Sequence, residues 1–495
     1  MTIHLSIVLF LPLATGVLGA LLPRGLARWS VLAGTVAVLA YTVAMLLDFE
    51  SGGGLQWVTD DEWIPELGIR YQLGVDGLNL FLIALTAVSW VPCTLVAAFR
   101  HQDRPKLFFF WLALGETAVL GAFMAQDLAL FIVFFDLMLV PFYFMIGGWG
   151  SGDRVRATTK FVIYTLAGSL LMLAGAIALG VLATPPGGEI SFSLSELQQR
   201  AVSEGTQQWI VLLFALAFFV KAPLFPLHGW VPETYRSSPI ATIALLSAVL
   251  SKVGVYGFLR IVLPIMPEGS QHWQELFIIL AVFSILYGSI LAFSQDNVRL
   301  VVAYSSIAQL GFIVLGIFAF DDKGAQGAVL QMVNHGIVVV ALFLIISVVA
   351  ARADGSESLA ELGGMAFRAP VLATLFLIVT LATLAMPGSA NFIGEILILF
   401  GAFEDKFVYG VVASVGVVLA AVYMIRVFQR VMHNRQGPAV ESREIDGVHL
   451  AAIAPLVAVI IALGLYPHYV VDRTQNATTA SIEGARSVGQ EVAAR

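Results

Sequence analysis

Charge is scarce in this chain. Only 12% of its 495 residues are Asp, Glu, Lys or Arg, about half the share in a typical soluble protein. With 59% hydrophobic residues and a mean hydropathy of +0.90, this scarcity excludes a soluble enzyme and a disordered chain. Cysteine is nearly absent. The one residue, Cys93, excludes an internal disulfide and thiolate-bound metal or iron–sulfur clusters. Net charge is −7 and no stretch is strongly basic, so no nucleic-acid partner is expected. The N-terminus lacks the basic region of a cleaved signal and reads as a retained first helix.

What the chain has instead is long apolar runs. A bilayer span takes roughly 20 apolar residues. About fourteen segments qualify: 3–22, 29–48, 77–99, 107–126, 128–146, 160–183, 208–235, 239–265, 274–295, 298–320, 324–351, 368–402, 407–433 and 449–466. We number them 1 to 14. They predict an all-α polytopic membrane protein with one membrane domain over residues 1–495. Residues 51–76, 184–207 and 434–448 read as links. The tail after Tyr466 reads as polar, without a second long helix.

Segments 7 and 12 are overlong and interrupted, by Pro223 and Pro226 in one and Pro387-Gly388-Ser389 in the other. Proline removes a backbone donor and clashes with the preceding turn. Broken backbone at membrane depth survives only inside protein or beside a water-filled cavity. Alternate links carry sixteen Lys and Arg against four. The basic set is therefore expected on the cytoplasmic side, with both termini opposite.

Ionisable residues inside a membrane are costly and mark function. Asp136 lies within segment 5, Lys221 at the break of segment 7 and Lys252 at the centre of segment 8. His335 lies in segment 11 and Glu395 just past the break of segment 12. These residues recur in helix after helix and include both acids and bases, which suits proton movement, and an Asp136–Lys221 pair is expected. Glu116 in segment 4 and His228 beside the second break are secondary candidates. His228 reads equally as a hydrogen-bonded helix-end residue, and Asp76 as the N-cap of segment 3. Tyr256, Arg260 and Arg299 read as structural. No residue set points to a metal or bound cofactor.

There is also a repeat. Asp136 lies 173 residues before Gln309, and Lys221 lies 174 before Glu395. Each pair is five segments apart, an odd number, so equivalent helices run in opposite directions. Residues 107–265 and 274–433 are thus expected to form two inverted five-helix repeats.

Several stretches carry a resemblance: LGVDGLNL (73–80), FFDLMLVPFYFMIGGWG (134–150), FFVKAPLFPLHGWVPETY (218–235), SKVGVYGFLRI (251–261), VRLVVAYSSIAQLGF (298–312) and NFIGEILIL (391–399). From about residue 70 to 435 the chain resembles the antiporter-like membrane subunit M (subunit 4) of respiratory complex I, the proton-pumping NADH–quinone oxidoreductase. The resemblance implies a proton-translocating subunit of a bacterial inner membrane with no cofactor of its own. NADH, flavin, iron–sulfur clusters and quinone would belong to partner subunits, and the neighbours would be subunits L and N. Lys221, Lys252, His335 and Glu395 match the family's buried series. The acid at Glu395 marks M, because L and N usually have lysine there. The expected lack of a long amphipathic C-terminal helix also argues against L. Two positions depart: Asp136 replaces the usual glutamate, and Gln309 replaces a frequent histidine.

The same residues would serve a cation/proton antiporter subunit or the ion-pumping subunit of a membrane-bound hydrogenase. A haem carrier would need axial histidines, and only His335 lies well within a span.

Overall fold

A computed structural model describes residues 3–494. Among these, eleven helices are long and apolar enough to cross a bilayer, and Leu5–Leu21 and Pro370–Thr383 are shorter apolar helices. Segments 8, 10 and 11 form the interior. Segment 11, Asp322–Ala351, is unbroken and buried along almost its whole length. It is buried on every side, as befits a helix surrounded by others. Segments 2, 13 and 14 carry large exposed apolar side chains such as Leu47, Val418 and Ile461 and lie at the periphery.

The two interruptions fall where the prolines put them. Segment 7 is Glu204–Lys221, a non-helical stretch over 222–230, and then Val231–Ser237. Freed backbone groups find side chains. Phe225 N donates to Ser284 Oγ at 3.0 Å, and Trp230 Nε1 donates to the Val220 carbonyl at 3.0 Å. Segment 12 is Pro370–Thr383 and Ala390–Asp405. Ala385 (φ 55°) and Gly388 (φ 90°) turn the chain between them.

Two further irregularities escape the hydropathy pattern. Segment 5 is divided into Leu128–Leu137 and Leu139–Trp149. Pro141 explains the division, since it has no N–H for the Leu137 carbonyl. Segment 8 contains π-helical turns at Leu246–Leu250 and Phe258–Val262. In the first, the Ser247 carbonyl accepts from Ser251 Oγ and Lys252 Nζ, both at 2.8 Å. Side chains compete there with the helix's own donors.

The link over 51–76 holds an antiparallel hairpin, β1 (Gln56–Ile64) and β2 (Ile69–Val75). Its anchor is Asp127, whose carboxylate accepts from Arg70 N at 3.2 Å and from Leu130 N at 2.9 Å. Asp76 caps segment 3 as expected, accepting from Leu78 N at 2.9 Å. Its two oxygens also take Arg260 at 2.6 and 2.8 Å, tying segment 3 to segment 8. Arg299 donates to the Ser238 carbonyl at 2.7 Å and pairs with Glu357.

The tail corrects the sequence reading. His468–Ala494 is a 27-residue helix. Its buried stripe is Val470, Thr474, Thr478, Ser481, Ile482 and Ala485, mostly small or hydroxyl-bearing residues that a hydropathy reading scores as polar. Thr474, Thr478 and Ser481 return their hydroxyls to carbonyls one turn back. Gln326 donates to Thr474 Oγ1 at 2.5 Å and Arg486 pairs with Asp322 at 2.6 Å, docking the helix on segment 11. A long C-terminal helix is present, so this end of the chain does not distinguish subunit M from subunit L.

The first half of segment 12 has no cap of its own. Glu444, from the link after segment 13, supplies one: its carboxylate accepts from Val371 N at 2.9 Å and Leu372 N at 3.0 Å. Burial raises this carboxyl's pKa, but the backbone donors of Ile445, Val371 and Leu372, with Arg352 nearby, outweigh it and leave it below the usual range. Stability from such a group is present at neutral pH and lost as pH falls through its lowered pKa. Glu444→Ala should therefore cost about 1 kcal/mol at neutral pH. A lower melting temperature of the assembled protein checks this, and the gap from the parent should close in acid.

Candidate functional site

The membrane interior holds a broken line of polar side chains, and each is placed by a helix already described. At its centre Lys252 and His335 meet. Both are at most 2% exposed, and Lys252 Nζ lies 2.9 Å from His335 Nδ1. The same ammonium nitrogen donates to the Ser247 carbonyl at 2.8 Å and Ser251 Oγ at 3.3 Å. No carboxylate pairs with either among the described residues. Two cations at this separation would repel by roughly 6 kcal/mol even at an effective dielectric of about 20. The pair therefore holds at most one excess proton, and the tautomer of His335 depends on which side has it.

Toward segment 7, Lys221 is buried and Asp136 only half-buried. The expected direct pair does not form. Lys221 Nζ donates to the Phe135 carbonyl at 3.2 Å and sits 4.5 Å over the Phe135 ring. The Asp136 carboxylate takes the hydroxyl of Ser169 instead. The shorter side chain of aspartate and its serine partner account for the separation. The two groups are still neighbours through consecutive residues, since Phe135 adjoins Asp136.

Toward segment 12, Glu395 is 3% exposed. Its Oε1 accepts from Gln309 Nε2 at 2.7 Å. Gln331 Nε2 donates to Gln309 Oε1 at 2.6 Å and reaches Glu395 Oε1 at 3.5 Å. Glu395 Oε2 has no protein partner. Gln309, a departure from the family pattern, is thus in direct contact with the acid. Gln331 was missed from the sequence. Its signal was available: it lies one helical turn before His335, on the same face of segment 11.

A hydroxyl bridge joins the centre to this end. Ser247 Oγ lies 3.1 Å from Ser306 Oγ, and Ser306 is three residues before Gln309, on one face of segment 10. The other candidates stand apart. Glu116 is fully buried, and neither of its oxygens has a protein partner. His228 packs between Phe225 and Tyr287, with ring centroids 5.8 and 5.1 Å away, and does not reach Lys221 through a hydrogen bond. No group of three His, Cys, Asp or Glu side chains is arranged to hold a metal ion among the described residues.

Residues 125–420 match the family described as NADH:quinone oxidoreductase/Mrp antiporter, transmembrane. The NADH-quinone oxidoreductase subunit M of Rhodobacter capsulatus is 35% identical, over 94% of this chain and 94% of its own. That of Mycobacterium tuberculosis is 37% identical, over 94% and 92%. A chain of respiratory complex I from Thermus thermophilus superposes with a TM-score of 0.89 at 30% identity, covering 97% of this chain and 100% of that one. A chain of the Mrp complex from Dietzia sp. shares the fold, with a TM-score of 0.84 at 22% identity over 97% and 98%. Buried line, broken helices and relatives converge: the chain belongs to the NADH-quinone oxidoreductase subunit M family.

Proposed function

We propose that this chain translocates protons in the membrane arm of an NADH-quinone oxidoreductase, and that Lys221, Lys252, His335 and Glu395 carry them, with Asp136 setting the charge beside Lys221. The observation that bears most weight is the Lys252–His335 contact at 2.9 Å. Two basic groups sharing a proton in a dry interior are poised to hand it on when the charge at either end changes. Loading at Lys221 would push the shared proton toward His335, and release at Glu395 would draw it onward. Serine and glutamine side chains fill the intervals. Gln309 cannot titrate, so it serves to hold Glu395 in place, and Asp136 acts on Lys221 as a charge at a distance.

In this reading the chain does no redox chemistry. NADH, flavin, iron–sulfur clusters and quinone act in partner subunits, with subunits L and N as neighbours. The fourteen segments cross a bacterial inner membrane with both termini on the non-cytoplasmic side. Residues 107–265 and 274–433 act as two inverted repeats, which explains the equal spacing of the two breaks and their ionisable residues.

Removal of a proton-transfer group should be costly. Glu395→Gln or Lys252→Met should lower quinone-coupled proton pumping by about two orders of magnitude or more, with the complex still assembled. Pumping at the parent rate in both variants would sink the assignment. Sodium flux that ignores NADH and quinone would replace it with a cation/proton antiporter.

The two departures have opposite expectations. Asp136→Glu restores one methylene of reach toward Lys221 and should pump at least as well as the parent, whereas Asp136→Asn should be several-fold slower. Gln309→His places a second titrating ring beside Glu395, and pumping should survive with an altered pH profile. Rates of acidification in proteoliposomes, measured across pH, check both.

A further inference from the structure

We propose that Asn391 is a positioning residue, holding water between segment 11 and the free oxygen of Glu395. The inference rests on the proton path proposed above and adds a residue to it.

Asn391 is 0% exposed, and neither its Oδ1 nor its Nδ2 has a protein partner. A buried amide left so is rare in native proteins and is normally answered by ordered water. Asn391 does not stand alone. Asn391, Gly394, Glu395 and Ile398 form one stripe of the second half of segment 12, and all four are buried. That stripe faces segment 11 at very close range. A Cβ on Gly394 would lie 2.3 Å from Gln331 Oε1, and one on Gly327 would lie 2.6 Å from Ile398 N. This antiparallel register sets Asn391 level with Asn334, and Asn334 Nδ2 donates to the Ala390 carbonyl at 2.7 Å.

Six buried polar atoms on segment 11, the second half of segment 12 and the turn before it lack a protein partner: Asn334 Oδ1, Gln331 Oε1, Glu395 Oε2, Ser389 Oγ and both atoms of Asn391. Four are acceptors. Only Asn391 Nδ2 and the Ser389 hydroxyl can donate. Exchanging the two ends of the Asn391 amide leaves that count unchanged, so the surplus of acceptors does not depend on its orientation. Water, with two donors per molecule, matches such a surplus. Ser389 sits at the N-cap of Ala390–Asp405 without capping it, which leaves its hydroxyl free for the same purpose.

The placement matters because Glu395 has one oxygen already held by Gln309. Its other oxygen is where a proton can arrive or leave. Asn334 precedes His335 on segment 11 but faces segment 12, so water fixed by Asn391 lies between Glu395 and the helix that carries the central histidine. In a transfer it gives one proton to Glu395 and takes one in return, relayed by further water, from the proton held at the Lys252–His335 pair. Asn391 itself neither gains nor loses a proton.

The test uses the whole complex in proteoliposomes. Asn391→Leu keeps the volume but removes both polar atoms, and Asn391→Ser keeps a hydroxyl. Asn391→Leu should slow proton pumping about tenfold, the size of one lost hydrogen bond in the limiting step, and raise the solvent deuterium isotope effect. Asn391→Ser should recover most of the rate and the parent isotope effect. Should the leucine variant fail to assemble, Asn391→Val is read in its place. Glu395→Gln runs beside them. If it is impaired while Asn391→Leu pumps normally, Asn391 has no such role. If Glu395→Gln pumps normally, the underlying path fails first. Equal impairment of the serine and leucine variants with an unchanged isotope effect would reduce Asn391 to packing. A requirement for sodium in the parent would overturn the proposal, because the same oxygens would then be holding a cation.

Discussion

A backbone amide or charged group in a bilayer has no water to fall back on, so each must find a partner inside the protein or line a hydrated gap. The architecture follows from that constraint. Segment 7 can open over 222–230 because Ser284 and Trp230 answer for its freed backbone groups. Segment 8 can bend through a π turn because Ser251 and Lys252 take the Ser247 carbonyl. Segment 12 can begin inside the polar link because Glu444 caps it from 72 residues further along. Each irregularity brings a polar group to a depth where a regular helix would have shown only methyls.

The same constraint sorts the ionisable residues. Those with ideal ion pairs, Asp76 with Arg260 and Arg299 with Glu357, are locked and serve as rivets. Those along the central line have weaker arrangements: a carbonyl and a ring for Lys221, a second base for Lys252, a neutral amide for Glu395. A charge held by a strong counter-ion cannot easily be passed on. A charge held by a carbonyl, an imidazole or an amide can.

Much of this was legible in the sequence. Most of the apolar helices, both proline breaks, the buried Lys221, Lys252, His335 and Glu395 and the half-buried Asp136 follow from hydropathy and residue type, and Asp76 declares itself by its place before an apolar run. What was illegible depended on partners distant in sequence. Nothing local shows that Lys252 and His335 touch, because 83 residues separate them. The absent Asp136–Lys221 pair turns on Ser169, a residue with no motif of its own. The C-terminal helix was hidden because threonine, serine and alanine form its buried face, and those residues look like a solvated tail until Gln326 and Asp322 are seen to hold it.

Segment 11 is a single rod of 30 residues without a break, about 45 Å long. His335 and Asn334 are consecutive on it, one directed at segment 8 and the other at segment 12. Segments 7, 8 and 12 have joints; this helix has none. A small tilt cannot loosen one of its contacts and leave the other untouched. The rod therefore keeps the contact to segment 8 and the contact to segment 12 at one fixed spacing, a ruler laid between the two sides of the bundle.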